Sequence, residues 1–345
     1  MKAVFIESHG GPKVLCYGDQ PEPIIKPHEV KIQVKAVALN RLDTYVRAGV
    51  RGQSRQFPSP LILGGDAAGI VVEVGSRIKS LEIGQRVVVN PLLTCGTCSF
   101  CLSGKDDLCQ NFKFMGSDIN GSYAEYVKAP EANVHAIAEQ VGFEEAAALP
   151  TVYLPVWNIL IRKGQLRPWE TLLVLSASAG VGTAAVQVGK AVVGAKVIAT
   201  TSNQEKADQT RELGADHVIN YATEDITQRV KELSNDQGVD VVVDHVGAKF
   251  FEAAYRSLRP GGRYGICGVT TGYRAQLQMG VLFTKGLQIF GVHMGSKEDM
   301  RQIVAMLNQG NIKPVIHRIF PLNQAVDAHH TMEGQSFFGK LVLTT

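Results

Sequence analysis

The sequence predicts a two-part α/β chain, with a β-rich domain first and a doubly wound domain on a parallel sheet second. Three features carry that expectation. Short apolar runs bounded by Gly, Pro and Asn fill the first 90 or so residues. A polar loop then gathers four of the six cysteines. From about residue 171 apolar strand runs alternate with helical patterns, the arrangement that builds a parallel sheet.

In order, Val30–Val37 and Ile70–Val74 read as strands of a compact sheet, and residues 92–112 as the Cys-rich loop. Leu172–Leu175 is a short buried strand, followed by a Gly-containing turn and a helix over Thr183–Val193. Strands then follow at Ala195–Thr200, His217–Asn220, Val239–Asp244 and Gly262–Cys267, with a helix at Glu205–Leu213. Past Gly291 come a helix over Met300–Asn308 and a terminal strand, Lys340–Thr344. The expected domains are residues 1–150 and 151–290, with a C-terminal segment 291–345.

At 345 residues, two folding units are the natural expectation. Hydrophobic residues make up 45% and charged residues 19%, ordinary for a chain with a full core. A net charge of +3 and the lack of a long Lys/Arg run argue against a nucleic-acid partner. No apolar stretch reaches the roughly 20 residues that span a bilayer, so no membrane partner is expected. The N-terminus MKAVFIESHGG lacks the apolar core of a secretory signal. A cytoplasmic location is expected.

The cysteines are spaced Cys95-x2-Cys98-x2-Cys101-x7-Cys109. Four thiolates so close in sequence can close a tetrahedral shell around one structural zinc, with no open position for chemistry. An iron–sulfur cluster also takes four cysteines, but the ferredoxin run continues with x3 and Cys-Pro, which is missing here. Four unligated thiols in a polar loop are the bland alternative. Cys16 and Cys267 stand alone and read as ordinary thiols.

The run Ser176-Ala-Ser178-Ala-Gly180-Val181-Gly182 lies where a strand turns into a helix. Small residues there let backbone N–H groups approach a pyrophosphate, which the helix N-terminus stabilises. Ser178, Gly180, Val181 and Gly182 are therefore candidate cofactor contacts, although the run departs from GxGxxG. The next strand ends in Thr200-Thr-Ser202-Asn-Gln-Glu-Lys206, without the acid that usually holds the ribose of NAD. A carboxylate would repel a 2′-phosphate, whereas Ser202 and Lys206 suit one. NADPH is the expected cofactor, with NADH possible; Ser202 also reads as a helix N-cap and Lys206 as a solvated charge.

These residues resemble the medium-chain dehydrogenase/reductase superfamily, the zinc-type alcohol dehydrogenases and their quinone reductase relatives. The resemblance runs over nearly the whole chain. It includes Gly64-Gly-Asp-Ala-Ala-Gly69, Gly121-Ser-Tyr-Ala-Glu-Tyr, the cysteine loop, the glycine turn, Leu213-Gly-Ala-Asp-His-Val-Ile-Asn-Tyr221 and Gly339-Lys340. It implies a GroES-like catalytic domain, a Rossmann domain, an active-site cleft between them, and a C-terminal segment returning to the first. It adds Tyr221, Gly268 and Lys340 as cofactor contacts, and implies a homodimer or homotetramer. Zinc-dependent members hold a catalytic metal through Cys, His and Cys; the matching positions here are Asn40, Gly65 and Pro150. Only the carboxylates Asp43 and Asp66 remain nearby, too few for a tight site. The stretch Asn40-Arg-Leu-Asp43-Thr-Tyr45-Val-Arg-Ala-Gly49 is similar instead to zeta-crystallin-type quinone reductases, which generally lack the cysteine loop. Pro155 stands where relatives often carry Thr.

Without a Lewis acid, hydride transfer favours acceptors that are already electrophilic: quinones, α,β-unsaturated ketones or enoyl thioesters such as acryloyl-CoA. The resemblance therefore implies an NADPH-dependent reductase of small molecules. Asn40 and Tyr45 are the candidates for orienting the acceptor oxygen, and Asp43 for fixing their loop. His245 is expected to pack near the cofactor, and His329 and His330 to be surface or packing residues. A zinc-type alcohol dehydrogenase and a non-catalytic NADPH-binding structural or regulatory protein are the alternatives. The loops 51–60 and 270–280 are expected to shape the substrate pocket.

Overall fold

The computed structural model describes residues 1–50, 57, 59–334 and 336–345. Most of the expected loop 51–60 therefore lies outside the described residues. The chain divides into two compact units: Met1–Thr151 with Ser296–Gly310 and Pro314–Thr345, and Val152–Gly295 with Asn311–Lys313.

The first unit is built on a seven-stranded sheet. Its central strand, Glu29–Ala38, pairs antiparallel with Asp66–Val74, with Tyr126–Pro130 and with Lys340–Thr344. Its residues are largely buried from Val34 on, as befits a strand covered on both faces. A smaller sheet orders Cys16–Asp19, Lys2–Ile6 and Leu61–Ile62. One apolar cluster, including Val30, Ile32, Leu63, Val71, Tyr123 and Leu341, fills this unit. The helix Arg41–Ala48 follows the central strand directly, so residues at its start sit at the end of the sheet. It ends at Gly49 in the left-handed conformation (φ 67°), where a Cβ would strike the His9 ring at 2.6 Å.

The second unit holds six parallel strands in the order His217–Asn220, Lys196–Thr201, Thr171–Val174, Val239–Asp244, Leu258–Ile266, Gln288–Gly291. Chain order reverses between Thr171–Val174 and Val239–Asp244, and ligands of such sheets bind outside the strand carboxyl ends at that switch point. Strand residues buried on both faces explain the continuous apolar runs in the sequence.

Several boundaries differ from expectation, three of them at helices. The helix expected over Thr183–Val193 starts earlier, as an α-helix over Gly180–Gln187, and continues as a π-helix over Val188–Val193. The cap of Gln204–Glu212 is Asn203 and not Ser202, because the Asn203 carboxamide oxygen accepts from Lys206 N. The helix expected over Met300–Asn308 starts at Lys297, since Ser296 and Asp299 cap it reciprocally.

Candidate functional site

The glycine turn of the second unit is tight and pinned to the neighbouring strand. Ser176 takes a left-handed conformation (φ 51°), and its N–H donates to Thr200 Oγ1 at 2.9 Å. Ala177 N donates to Thr200 O, so the turn is pinned to the neighbouring strand. The following helix begins at Gly180, leaving the first-turn N–H groups without intrahelical acceptors. Gly182 packs against the turn: a Cβ there would meet Ser176 O at 2.4 Å and Ala177 Cα at 2.5 Å. Ser178 is buried, while Gly180 and Val181 are half-buried. His245 Nε2 lies 2.8 Å from Leu175 O and 3.3 Å from Ser176 O. Both partners accept only, so that nitrogen carries the proton and His245 props the turn from below. Burial holds its pKa below the usual imidazole value, which suits packing rather than proton transfer. Gly268 lies against the same residue, where a Cβ would meet His245 O at 2.6 Å. Tyr221 N donates to Thr201 O, so Tyr221 sits beside the strand end that leads to Ser202.

In the first unit, the residues at the sheet end form a buried polar group. Asn40, Asp43, Asp66 and Lys340 are all at most 7% exposed. Lys340 Nζ donates to Asn40 Oδ1 at 2.6 Å and lies 3.6 Å from Asp66 Oδ2. Asn40 Nδ2 donates to Asp66 Oδ2 at 2.9 Å and to Ala38 O at 3.4 Å. Asp66 Oδ1 accepts from Thr151 N and Oγ1, and Asp43 Oδ2 from Asn40 N at 2.7 Å. Burial raises the pKa of Asp66 and lowers that of Lys340, while their mutual attraction opposes both shifts. Burial also pushes Asp43 up to about 7, against the Asn40 N–H.

These contacts correct three expectations. Lys340, expected as a cofactor contact, spends its ammonium on Asn40 and Asp66 within the first unit. Asn40 has both ends of its amide engaged, which leaves it a poor donor to an acceptor oxygen. His329 is neither a surface nor a plain packing residue: it is fully buried and hydrogen-bonded to Arg47, while His330 is exposed. Asp43 holds the start of its helix as expected, and Tyr45 is half-buried on that helix. Sequence reasoning missed Thr151, Tyr123 and Arg47, which come from segments far apart in the chain.

The cysteines converge. Sγ separations are 3.5 Å for Cys98–Cys101 and Cys95–Cys109 and 3.9 Å for Cys95–Cys101. All four ligand atoms lie within 4.8 Å of one another, and no other such group occurs among the described residues. Tetrahedral zinc with bonds of about 2.3 Å would set sulfurs about 3.8 Å apart. The residues fit that ion. The Thr97 and Cys98 N–H groups hold Cys95 down to about 6, whereas burial and the neighbouring thiols push Cys101 up to about 12, so ligation by all four would release a proton. Cys16 and Cys267 lie outside the group, as expected.

No helix among the described residues is long and apolar enough to cross a membrane. Residues 26–139 match the alcohol dehydrogenase GroES-like domain family, and residues 180–309 the zinc-binding dehydrogenase family. The NAD-dependent alcohol dehydrogenase of Saccharolobus solfataricus is 31% identical, with 99% of each chain covered. The human quinone oxidoreductase is 30% identical, over 99% of this chain and 97% of its own. A crystal structure of an NAD-dependent alcohol dehydrogenase superposes with a TM-score of 0.96 at 40% identity, covering all of both chains. The chain is therefore an oxidoreductase that uses a pyridine nucleotide on a small-molecule substrate, and it belongs to the medium-chain dehydrogenase/reductase superfamily.

Proposed function

We propose that this protein is an NADPH-dependent reductase of activated acceptors (quinones, α,β-unsaturated ketones or enoyl thioesters) that works without a catalytic metal. One observation carries the reading. At Gly65, where zinc-dependent relatives place a histidine, a Cβ would meet Phe114 at 2.8 Å and Pro91 at 3.2 Å. A metal-binding imidazole there would have to displace the Phe114 ring, and Asn40 is occupied by Lys340 and Asp66. The names of several relatives favour an alcohol dehydrogenase, but that chemistry needs the Lewis acid these residues do not provide.

The bound cofactor supplies the hydride. The chain's own part is to bind, orient and exclude water. Ser178, Gly180, Val181 and Gly182 cradle the pyrophosphate, and Gly268 and Tyr221 border the nucleotide. Ser202 and Lys206 take the 2′-phosphate; no acid stands at Thr201 or Ser202. Tyr45 orients the acceptor oxygen, with Asp43 holding its helix. The four cysteines hold one structural zinc. The parallel sheet ends in an open edge strand, Gln288–Gly291, close in sequence to exposed Met279 and Phe283, which are 72% and 76% exposed. That edge supports association into a homodimer or homotetramer.

The test is an NADPH-oxidation screen over the three acceptor classes, beside NAD with primary and secondary alcohols, on a preparation assayed for zinc and sized by light scattering. Turnover of an activated acceptor with one zinc per chain in a dimer or tetramer is expected. Two zincs per chain, or alcohol oxidation alone, would overturn the reading. A second test concerns the nucleotide. Ser202→Asp is expected to reduce the preference for NADPH over NADH by on the order of tenfold or more, through repulsion of the 2′-phosphate. The ratio of kcat/KM values measures it, and an unchanged ratio would move the phosphate elsewhere.

A further inference from the structure

The buried polar group does not end at Asp43. Tyr123 Oη lies 3.3 Å from Asp43 Oδ2 and 3.4 Å from His329 Nε2. His329 Nδ1 lies 3.1 Å from Arg47 Nη1, and Arg47 Nη2 donates to Glu333 Oε1 at 2.5 Å. Tyr123, His329 and Arg47 are at most 2% exposed, whereas the Glu333 side chain is 40% exposed. The chain thus runs from the carboxylate pair to the surface.

Donor chemistry fixes its direction. Arginine can only donate, so His329 Nδ1 accepts and the ring proton sits on Nε2. That proton then points to Tyr123 Oη, and the tyrosine hydroxyl donates to Asp43. From Arg47 Nη1 onward, each donor in the chain is aimed toward Asp43. A proton wire is excluded, because Arg47 blocks the nitrogen that would have to receive the proton.

We propose that Arg47, His329 and Tyr123 are positioning residues, a one-way donor chain that sets the charge of Asp43 beside Asp66 and Lys340. The groups acting on Asp43 are Asp66 and Lys340 from neighbouring strands, the backbone N–H of Asn40 and the hydroxyl of Tyr123, which Arg47 in turn faces. His329, with exposed His330 beside it, and Glu333 complete the set from the helix Ala325–Gly334. Burial works against a charged Asp43, and the Tyr123 hydroxyl works for it. His329 itself stays neutral: burial and the Arg47 guanidinium push it down to about 3. Asp43 is then the group poised to change charge near neutrality. Its effect on turnover rests on the metal-free reading above, whereas its effect on stability does not.

The experiment is urea unfolding of the full chain between pH 5 and 9, for wild type, Tyr123→Phe, His329→Gln and His329→Leu. Each is measured with and without Asp43→Asn, and the difference isolates Asp43. An acid whose pKa rises on folding contributes stability at low pH that is lost as pH rises through the folded value. The wild-type difference is expected to fall with an inflection near 7. Tyr123→Phe removes the hydroxyl donor and is expected to move the inflection up by about one unit. His329→Gln keeps one acceptor and one donor in place and is expected to retain the wild-type inflection. His329→Leu is expected to behave as Tyr123→Phe. Should His329→Leu fail to fold, the other two variants still decide. An inflection unmoved in Tyr123→Phe, or moved in His329→Gln, would overturn the proposal. With an acceptor from the screen, the pH profile of kcat/KM is expected to shift alongside. A shifted stability profile without any turnover would overturn the reductase reading alone.

Discussion

Replacing Lys340 with methionine is expected to cost about 3–5 kcal/mol of stability at neutral pH, because it strands a buried carboxylate. Asp66 has no solvent exposure, and Lys340 Nζ is the cation lying 3.6 Å from its Oδ2. Methionine preserves much of the volume and removes the ammonium, and with it the hydrogen bond to Asn40 Oδ1. Asp66 would then keep its Thr151 donors and the Asn40 amide, which satisfy hydrogen bonds but supply no positive charge. Its pKa, already raised by burial, would rise further. The sign follows from linkage: a carboxyl with a raised folded pKa loses stability as pH climbs through that value. The deficit of Lys340→Met should therefore be larger at pH 8 than at pH 5. Adding Asp66→Asn should recover about 2 kcal/mol or more, since Asn40 can turn its freed Oδ1 toward the new amide. Urea unfolding of the two variants at both pH values checks this. A loss below about 1 kcal/mol at pH 8 would mean that Lys340 is not held against Asp66.

Legibility in the sequence followed the range of the interactions. His217–Asn220, Val239–Asp244 and Lys340–Thr344 have the bounds expected from apolar runs alone. Such runs are local signals, as are the cysteine spacing and the small residues of the glycine turn. The helix caps were less legible, because Ser202, Asn203 and Ser296 are all competent caps and only backbone geometry selects among them. The polar group of the first unit was the least legible part. Asn40, Asp66, Tyr123, His329 and Lys340 are separated by up to 300 positions, as in the Lys340–Asn40 hydrogen bond. Nothing in the run Ala328-His329-His330 says which imidazole turns inward; packing of that helix decides it. Nothing in the run around Arg47 signals burial, yet it is buried with all its guanidinium nitrogens donating, Nε to Gly10 O at 3.1 Å among them. A family resemblance pointed Lys340 and Asn40 toward ligands, whereas the fold joins them to each other.

Replacing Cys109 with serine should do more local damage than any substitution of an apolar residue in the same loop. The segment has little else to hold it: one short helix, Ser99–Leu102, and a single turn at Asp106–Leu108. Leu102, Leu108 and Phe112 are exposed, so few apolar contacts offset the ordering entropy of the loop. Cys109 is the one buried thiol of the four, and its Sγ accepts from Cys95 N at 3.4 Å. Structural zinc contributes roughly 10–16 kcal/mol of apparent binding free energy in small peptides, and that energy is folding energy where no site is preformed. Serine is a poor ligand for the ion, and three thiolates leave its shell open. Zinc content should fall from one per chain to well below stoichiometric after dialysis, and limited proteolysis should cut between residues 94 and 112. Pyridine-nucleotide affinity should stay near wild type, because the glycine turn folds in the other unit. Chelation of the wild-type protein should reproduce the same cleavage, and zinc should reverse it. Full retention of zinc by Cys109→Ser, or protection of the loop without metal, would show that the thiols serve only to fill space.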